Sequence, residues 1–186
     1  MKEKLYRMGQ IIGTPEGDEM IIEGRAIVFN SPTVIYRDGD TEYYEQIARG
    51  ALDGANTKDC CLKYNHQNGV PILARCRGGS LTLEARDDGE YFRASLFNTS
   101  VARDCYELVK ADALQCSFAF TVAEEAYDNK AHLRTILRID QLLDISIVDN
   151  PAYQDTFVTA RDYFAAQIER ERRENLRRRL ITLTYT

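Results

Sequence analysis

Two residues of this chain have the chemistry for nucleophilic acyl transfer. His66 stands in Asn65-His66-Gln67, a polar turn punctuated by Gly69 that follows the apolar run from Cys60 to Tyr64. Ser117 is the lone hydroxyl in Gln115-Cys116-Ser117-Phe118-Ala119-Phe120, which otherwise reads as a buried strand. A serine hydroxyl is a weak nucleophile near neutral pH until a base takes its proton, and imidazole titrates in the right range. The two lie far apart in the chain, so only a folded sheet can bring them together. A third group, needed to orient the imidazole, has a candidate in Asp144, a carboxylate flanked by Leu143 and Ile145.

Each residue also has a plainer reading. His66 reads as a surface loop residue, Ser117 as a packed and hydrogen-bonded strand residue, and Asp144 as a strand-edge carboxylate paired with Arg134 or Arg138. Cys116 adjoins Ser117, but one step along a strand points to the opposite face, which disfavours a thiol nucleophile. His132 follows Asp128-Asn129-Lys130-Ala131, an exposed hairpin turn by its composition and a poor place for a base.

The elements that must position these groups follow from apolar periodicity. Met20 to Phe29 reads as a strand, followed by a polar, turn-rich excursion through Ser31-Pro32 and Arg37-Asp38-Gly39-Asp40. Ile47 to Gly54 reads as a short helix or turn, and Cys60 to Tyr64 as a strand ending at His66. Leu81, Leu83 and Ala85 alternate with Thr82, Glu84 and Arg86, turn at Asp87-Asp88-Gly89-Glu90, and pair with Tyr91 to Phe97 as a hairpin. Val101, Cys105, Leu108 and Val109 have helical spacing within Ser100 to Asp112, with Ser100 as the N-cap. Strands follow at Ala113 to Val122, Leu133 to Ile139 and Leu142 to Val148, the last ended by Asn150-Pro151. In that last strand Asp144, Ser146 and Val148 share one face. Six or so strands with one or two helices give an α+β protein dominated by antiparallel sheet.

Composition bounds the function. With 44% hydrophobic and 28% charged residues, the 186-residue chain has the makeup of a globular protein able to bury a core unaided. A net charge of −5 argues against nucleic-acid binding as the main activity. No apolar run approaches the roughly 18 residues of a membrane helix, and Met1 to Tyr6 lacks the apolar core of a signal peptide. The five cysteines (Cys60, Cys61, Cys76, Cys105, Cys116) have no zinc-like spacing and read as reduced, mostly buried small hydrophobes. With two histidines they supply no metal set, and no cofactor is implied. From Arg161 to Arg179 seven arginines face four acids over a broken apolar stripe of Tyr163, Phe164, Ile168, Leu176 and Leu180. That pattern divides the chain into a body, 1–160, and an Arg-rich helical tail, 161–186, read either as a solvated helix or as a docking element.

Five short segments, in order, resemble the tailed-phage prohead proteases, which share a fold with the herpesvirus assemblins. Gly24 to Ser31 resembles a "G-x-A-x-x-F-x-S" strand, and Glu45 to Leu52 an "E-x-I-x-x-G-A-F" segment with Leu52 for Phe. Asn65-His66 matches the histidine motif, with Gln67 where Asp is common. Ser117-Phe118-Ala119-Phe120 resembles "S-x-G-F" with Ala for Gly. Leu143 to Ala152 resembles "L-x-E-V-S-x-V-x-x-P-A" with Asp144 for Glu.

The resemblance implies an assemblin-like fold, a mainly antiparallel β-barrel closed on itself with helices around it. It implies a serine endopeptidase of capsid maturation with Ser117 as nucleophile and His66 as base. Assemblins use a histidine as third member, whereas the phage relatives use an acidic residue, which places Asp144 there. The implied partners are the scaffolding region of the major capsid protein and the protease itself, by self-cleavage and as a homodimer. No specific nucleic acid or membrane is implied, and the place of action is the assembling prohead in the bacterial host cytoplasm. Arg134, Arg138 and the Pro151-Ala152 turn are candidate oxyanion donors. Two other functions fit parts of the chain: an inactive scaffold of the same fold, and a nucleic-acid binder working through the arginine tail.

Overall fold

Period-two patterning dominates the structure, a computed structural model that describes residues 4–16, 19–149 and 153–184. In chain order the strands are β1 (Lys4–Glu16), β2 (Glu19–Val28), β3 (Thr33–Asp38), β4 (Thr41–Ile47), β5 (Cys61–Tyr64), β6 (Ala74–Arg75), β7 (Leu81–Ala85) and β8 (Gly89–Ser95). Helix α1 (Ser100–Lys110) is followed by the long strands β9 (Gln115–Asp128) and β10 (Leu133–Val148) and by helix α2 (Tyr153–Thr184). The hairpin expected around Asp87-Gly89 forms, with Ala85 opposite Glu90. The excursion after Pro32 is a hairpin, β3–β4, turned at Gly39 with φ +60°. The two strands expected between Leu133 and Val148 are one, and Ile47 to Gly54 is a run of turns.

The strands form one mixed sheet in the order β3-β4-β10-β9-β1-β2-β8-β7, with β5 paired to β10 and β6. Its centre is the β9–β10 hairpin. β10 divides its other edge: Leu133–Ile136 carries β4 and Asp144–Ile147 carries β5, both parallel. β1 also has two partners. Lys4–Gly9 pairs with β9 and Gln10–Glu16 with β2, and the chain turns between them at Gly9. A Cβ there would lie 2.5 Å from the carbonyl oxygens of Arg25 and Ala26, so the corner needs glycine.

The expected closed barrel does not form. The sheet is open, ending in β3 and β7. β6 is only two residues long before the chain tightens into a 3-10 turn at Cys76–Gly78, so no ladder continues toward β8. A backbone bond from Phe97 N–H to the Leu73 carbonyl joins those segments at 2.9 Å instead. The mixed α+β, strand-rich class stands.

The core lies on the inner side of this curled sheet. Cys116, Phe118 and Phe120 of β9 meet Leu142, Ile145 and Ile147 of β10, with Ile22, Ile27 and Phe92 opposite. α1 covers it with Ala102, Cys105, Tyr106 and Val109; Leu108, expected on that face, is exposed. The helix is capped by Thr99, one residue before the expected Ser100, with Thr99 Oγ1 accepting from Ala102 N–H at 3.2 Å.

α2 runs unbroken across the expected division at residue 160. Phe164 is fully buried against Ile35 and Tyr43, with Tyr36, Tyr127, Tyr163 and Ile168 around them. Its ring lies 5.2 Å from Tyr43 and 6.1 Å from Tyr127. Beyond Ile168 the helix is largely exposed, including Leu176 and Leu180. Among the described residues no helix is long and apolar enough to cross a membrane.

Two stability predictions follow from this packing. Phe164→Ala empties the aromatic cluster holding α2 and should cost about 3–5 kcal/mol in chemical denaturation. Glu90 is buried at the start of β8, and its Oε2 meets no hydrogen-bond partner among the described residues. Burial, then the nearby Glu84 and Asp53 carboxylates, push its carboxyl up to about 7 from 4.5. The folded chain therefore holds this proton more tightly than the unfolded one. That contribution is present below about pH 4.5 and is lost as pH rises through about 7. Glu90→Gln should raise the unfolding free energy from chemical denaturation at pH 8, by up to about 3 kcal/mol, and leave it nearly unchanged at pH 4.

Candidate active site

Ser117 and Ser146 face each other across the β9–β10 hairpin, and Asp144 lies opposite Ala119. Directly opposed residues share a sheet face, so Ser117, Ala119, Asp144 and Ser146 crowd one side. A bulge at Leu143 makes this possible without losing core. Leu142 pairs with Phe120 and Asp144 with Ala119, leaving Leu143 unmatched. In strict alternation Leu142 would share the Asp144 face; the extra residue returns it to the core beside Ile145 and Ile147.

β5 delivers the histidine. It runs parallel to the end of β10, with Cys61 beside Asp144 and Lys63 beside Ser146. Past Tyr64 both Asn65 (φ +49°) and His66 (φ +54°) are left-handed, which turns the chain sharply over the sheet. For a side chain other than glycine that conformation costs about 1–2 kcal/mol per residue, and local bonds offset it. Asn65 N–H donates to the Ile147 carbonyl at 2.9 Å, and Asn65 Oδ1 accepts from Asp149 N–H at 3.1 Å. His66 N–H donates to Ser146 Oγ at 3.2 Å.

The three residues singled out from the sequence are brought into one chain of bonds. His66 Nε2 is 2.9 Å from Ser117 Oγ, and His66 Nδ1 is 2.5 Å from Asp144 Oδ1. Asp144 is fully buried, Ser117 is 1% exposed, and the His66 side chain is 10% exposed. Ser146 O–H donates to Asp144 Oδ1 at 3.0 Å, and Lys63 Nζ lies 3.7 Å from Asp144 Oδ2. An ionised carboxylate only accepts, so Nδ1 carries the imidazole proton and Nε2 presents its lone pair to the Ser117 hydroxyl. A hydroxyl so placed can pass its proton to the imidazole as it attacks an electrophilic carbon.

The alternative partners for Asp144 are engaged elsewhere. Arg134 is bound to Glu45 and Glu125, and Arg138 Nη2 lies 3.9 Å from Glu124. The same engagements occupy the two arginines considered as oxyanion donors, while Pro151-Ala152 falls outside the described residues. Cys116 is buried on the core side, and burial pushes its thiol up. The His132 ring lies 4.8 Å from the Tyr43 ring, tilted against it, at the turn end of the β9–β10 hairpin. Among the described residues no cluster of His, Cys, Asp or Glu could hold a metal. Two participants were not singled out from the sequence. Ser146 was visible as sharing the Asp144 face, but its two bonds were not; Lys63 gave no signal, because its role depends on a parallel pairing.

The family model for caudovirus prohead serine proteases matches residues 11–171. Among solved structures the chain is similar to the capsid assembly protease of bacteriophage T4, at 13% identity and a TM-score of 0.51, covering 80% of this chain and 99% of that one. At that identity the likeness speaks to the fold. No curated protein matches.

Proposed function

The chain belongs to the caudovirus prohead serine proteases, and from that premise we propose that Ser117, His66 and Asp144 are its catalytic triad. A phage prohead protease is a serine protease of capsid maturation, acting inside the assembling capsid on capsid protein. The observation that carries the residue assignment is the imidazole bridging a hydroxyl at 2.9 Å and a buried carboxylate at 2.5 Å.

The mechanism proceeds from that bridge. Ser117 Oγ attacks the scissile carbonyl while its proton passes to His66 Nε2. The imidazolium is stabilised by Asp144, whose carboxylate already accepts the Nδ1 proton. His66 then returns the Nε2 proton to the departing amine, leaving an acyl-enzyme on Ser117. Water, deprotonated by the same nitrogen, releases the acid. Ser146 is a positioning residue in this scheme: one hydroxyl grips the Asp144 carboxylate and the His66 backbone together. Lys63 supplies a positive charge beside the carboxylate without displacing the imidazole.

The substrates in this reading are the scaffolding region of the major capsid protein and the protease itself, cleaved in the prohead within the host cytoplasm. The enzyme works as a homodimer, and the arginine-rich stretch from Arg161 directs it to the assembling shell. Support for the docking role comes from charge: seven arginines in Arg161–Arg179 contrast with an acidic remainder.

Two experiments test these assignments. Co-expression with the phage's own major capsid protein should give shortened capsid protein and trimmed protease, read by intact mass, with none in Ser117→Ala. Full-length capsid protein in both samples would overturn the protease reading in favour of a scaffold. Ser146→Ala should lower kcat roughly 10- to 100-fold with KM little changed, as expected when an orienting partner is lost. Ser146→Thr should recover most of that loss, and an unaltered kcat in Ser146→Ala would remove the positioning role.

A further inference from the structure

Two thiols outside the Ser117 centre lie opposite one another at the neck of the loop that carries His66. β5 and β6 run antiparallel with Leu62 opposite Ala74 and Cys61 opposite Arg75. One step beyond this ladder, where the chain enters the 3-10 turn, Cys60 comes beside Cys76. Cys76 N–H donates to the Cys60 carbonyl at 2.9 Å, so the backbones are joined at this position. Each thiol is the strongest influence on the other, which raises Cys60 and lowers Cys76. Cross-strand Cβ atoms stand about 4.5–5.5 Å apart and a disulfide needs about 3.5–4.5 Å, so closing the bond draws the two segments together by about 1 Å. Cys60 is fully buried and Cys76 half-buried, so Cys76 is the member that solvent reaches.

We infer that Cys60 and Cys76 form an oxidative modification site, which closes to an intramolecular disulfide when the protein meets a low-molecular-weight disulfide. Cys76 thiolate attacks one sulfur of the small disulfide, breaking its S–S bond and releasing one small thiolate. Cys60 then loses its proton and attacks the Cys76 sulfur, expelling the second small thiolate. The two protein thiols are oxidised, the small disulfide is reduced to two thiols, and the two protons go to those thiolates. No other cysteine competes in kind. Burial raises Cys61, Cys105 (to about 11) and Cys116, and none of these has a thiol partner opposite it in the strand register.

The consequence is local. The bond would tie off residues 61–75, the loop that holds His66 in its left-handed turn, and would leave the β5–β10 pairing untouched. A closed loop has less freedom in the unfolded chain, so oxidation stabilises the fold. In a reducing compartment the pair stays as thiols.

The test uses the full chain and oxidised glutathione. Peptide mapping without reductant should recover a Cys60–Cys76 linked pair, with the intact mass lowered by two hydrogens. The thermal midpoint should rise by roughly 5–10 °C and return with dithiothreitol. Cys76→Ser should show neither linkage nor rise, and Cys60→Ala should trap glutathione on Cys76. A wild-type protein that stops at the Cys76 adduct, links Cys76 to Cys61, or does not react would overturn the inference. None of these readouts involves peptide cleavage, so they stand apart from the fate of the proposed triad.

Discussion

A buried carboxylate governs the design of this molecule. Asp144 has no exposed surface, and an ion taken out of water costs several kcal/mol unless other groups replace its hydration. His66, Ser146 and Lys63 make that replacement, and each comes at a structural cost elsewhere. The imidazole requires two consecutive left-handed residues. The Ser146 hydroxyl requires that β9 and β10 keep register at their far end. The ammonium requires a parallel strand beside β10. Removing any one leaves a buried charge with fewer partners.

The opposite half of β10 repeats the device for a different end. Glu45 is 3% exposed on β4 and is bound by both Arg7 of β1 and Arg134 of β10, while Arg134 also binds Glu125. The Arg134 guanidinium lies 4.1 Å from the Tyr163 ring, so the charged cluster reaches the helix α2. One strand thus anchors a polar network at each end, one around an imidazole and one around a guanidinium. Between them lie its register shifts, from Ile136 to Asp144. Those shifts let a single strand change partners from β4 to β5 without breaking.

How much of this was legible in the chain depended on locality. The β7–β8 hairpin, α1 and β9 were readable, because alternation, helical spacing and a turn sequence are neighbours' properties. β1 was not read as a strand: Gly9, Gly13 and Pro15 interrupt its pattern, and its two halves serve different partners. β3 and β4 were hidden behind Pro32 and a charged turn, since edge strands of Tyr, Glu and Arg give little apolar alternation. β10 read as two strands because its bulges break the period at Arg138–Gln141. The expectation of a closed barrel came from resemblance and failed where β6 shortens. Ser117, His66 and Asp144, the proposed triad, stood out by residue type and motif, whereas Lys63 enters only through the parallel β5–β10 register, which no local pattern encodes.

The bond between His66 and Asp144 joins positions 78 apart in the chain, and the parallel pairing of β5 with β10 is similarly remote. Contacts of such separation pay a large loop-closure entropy before any enthalpy returns, and parallel pairings form late for that reason. While the chain is being synthesised from its N-terminus, β5 and His66 emerge well before their partner strand exists. Ser117, His66 and Asp144 are therefore unassembled through most of synthesis. The proposed triad waits on a strand that the C-terminal part of the chain supplies, and the order of synthesis sets the order in which its parts can meet.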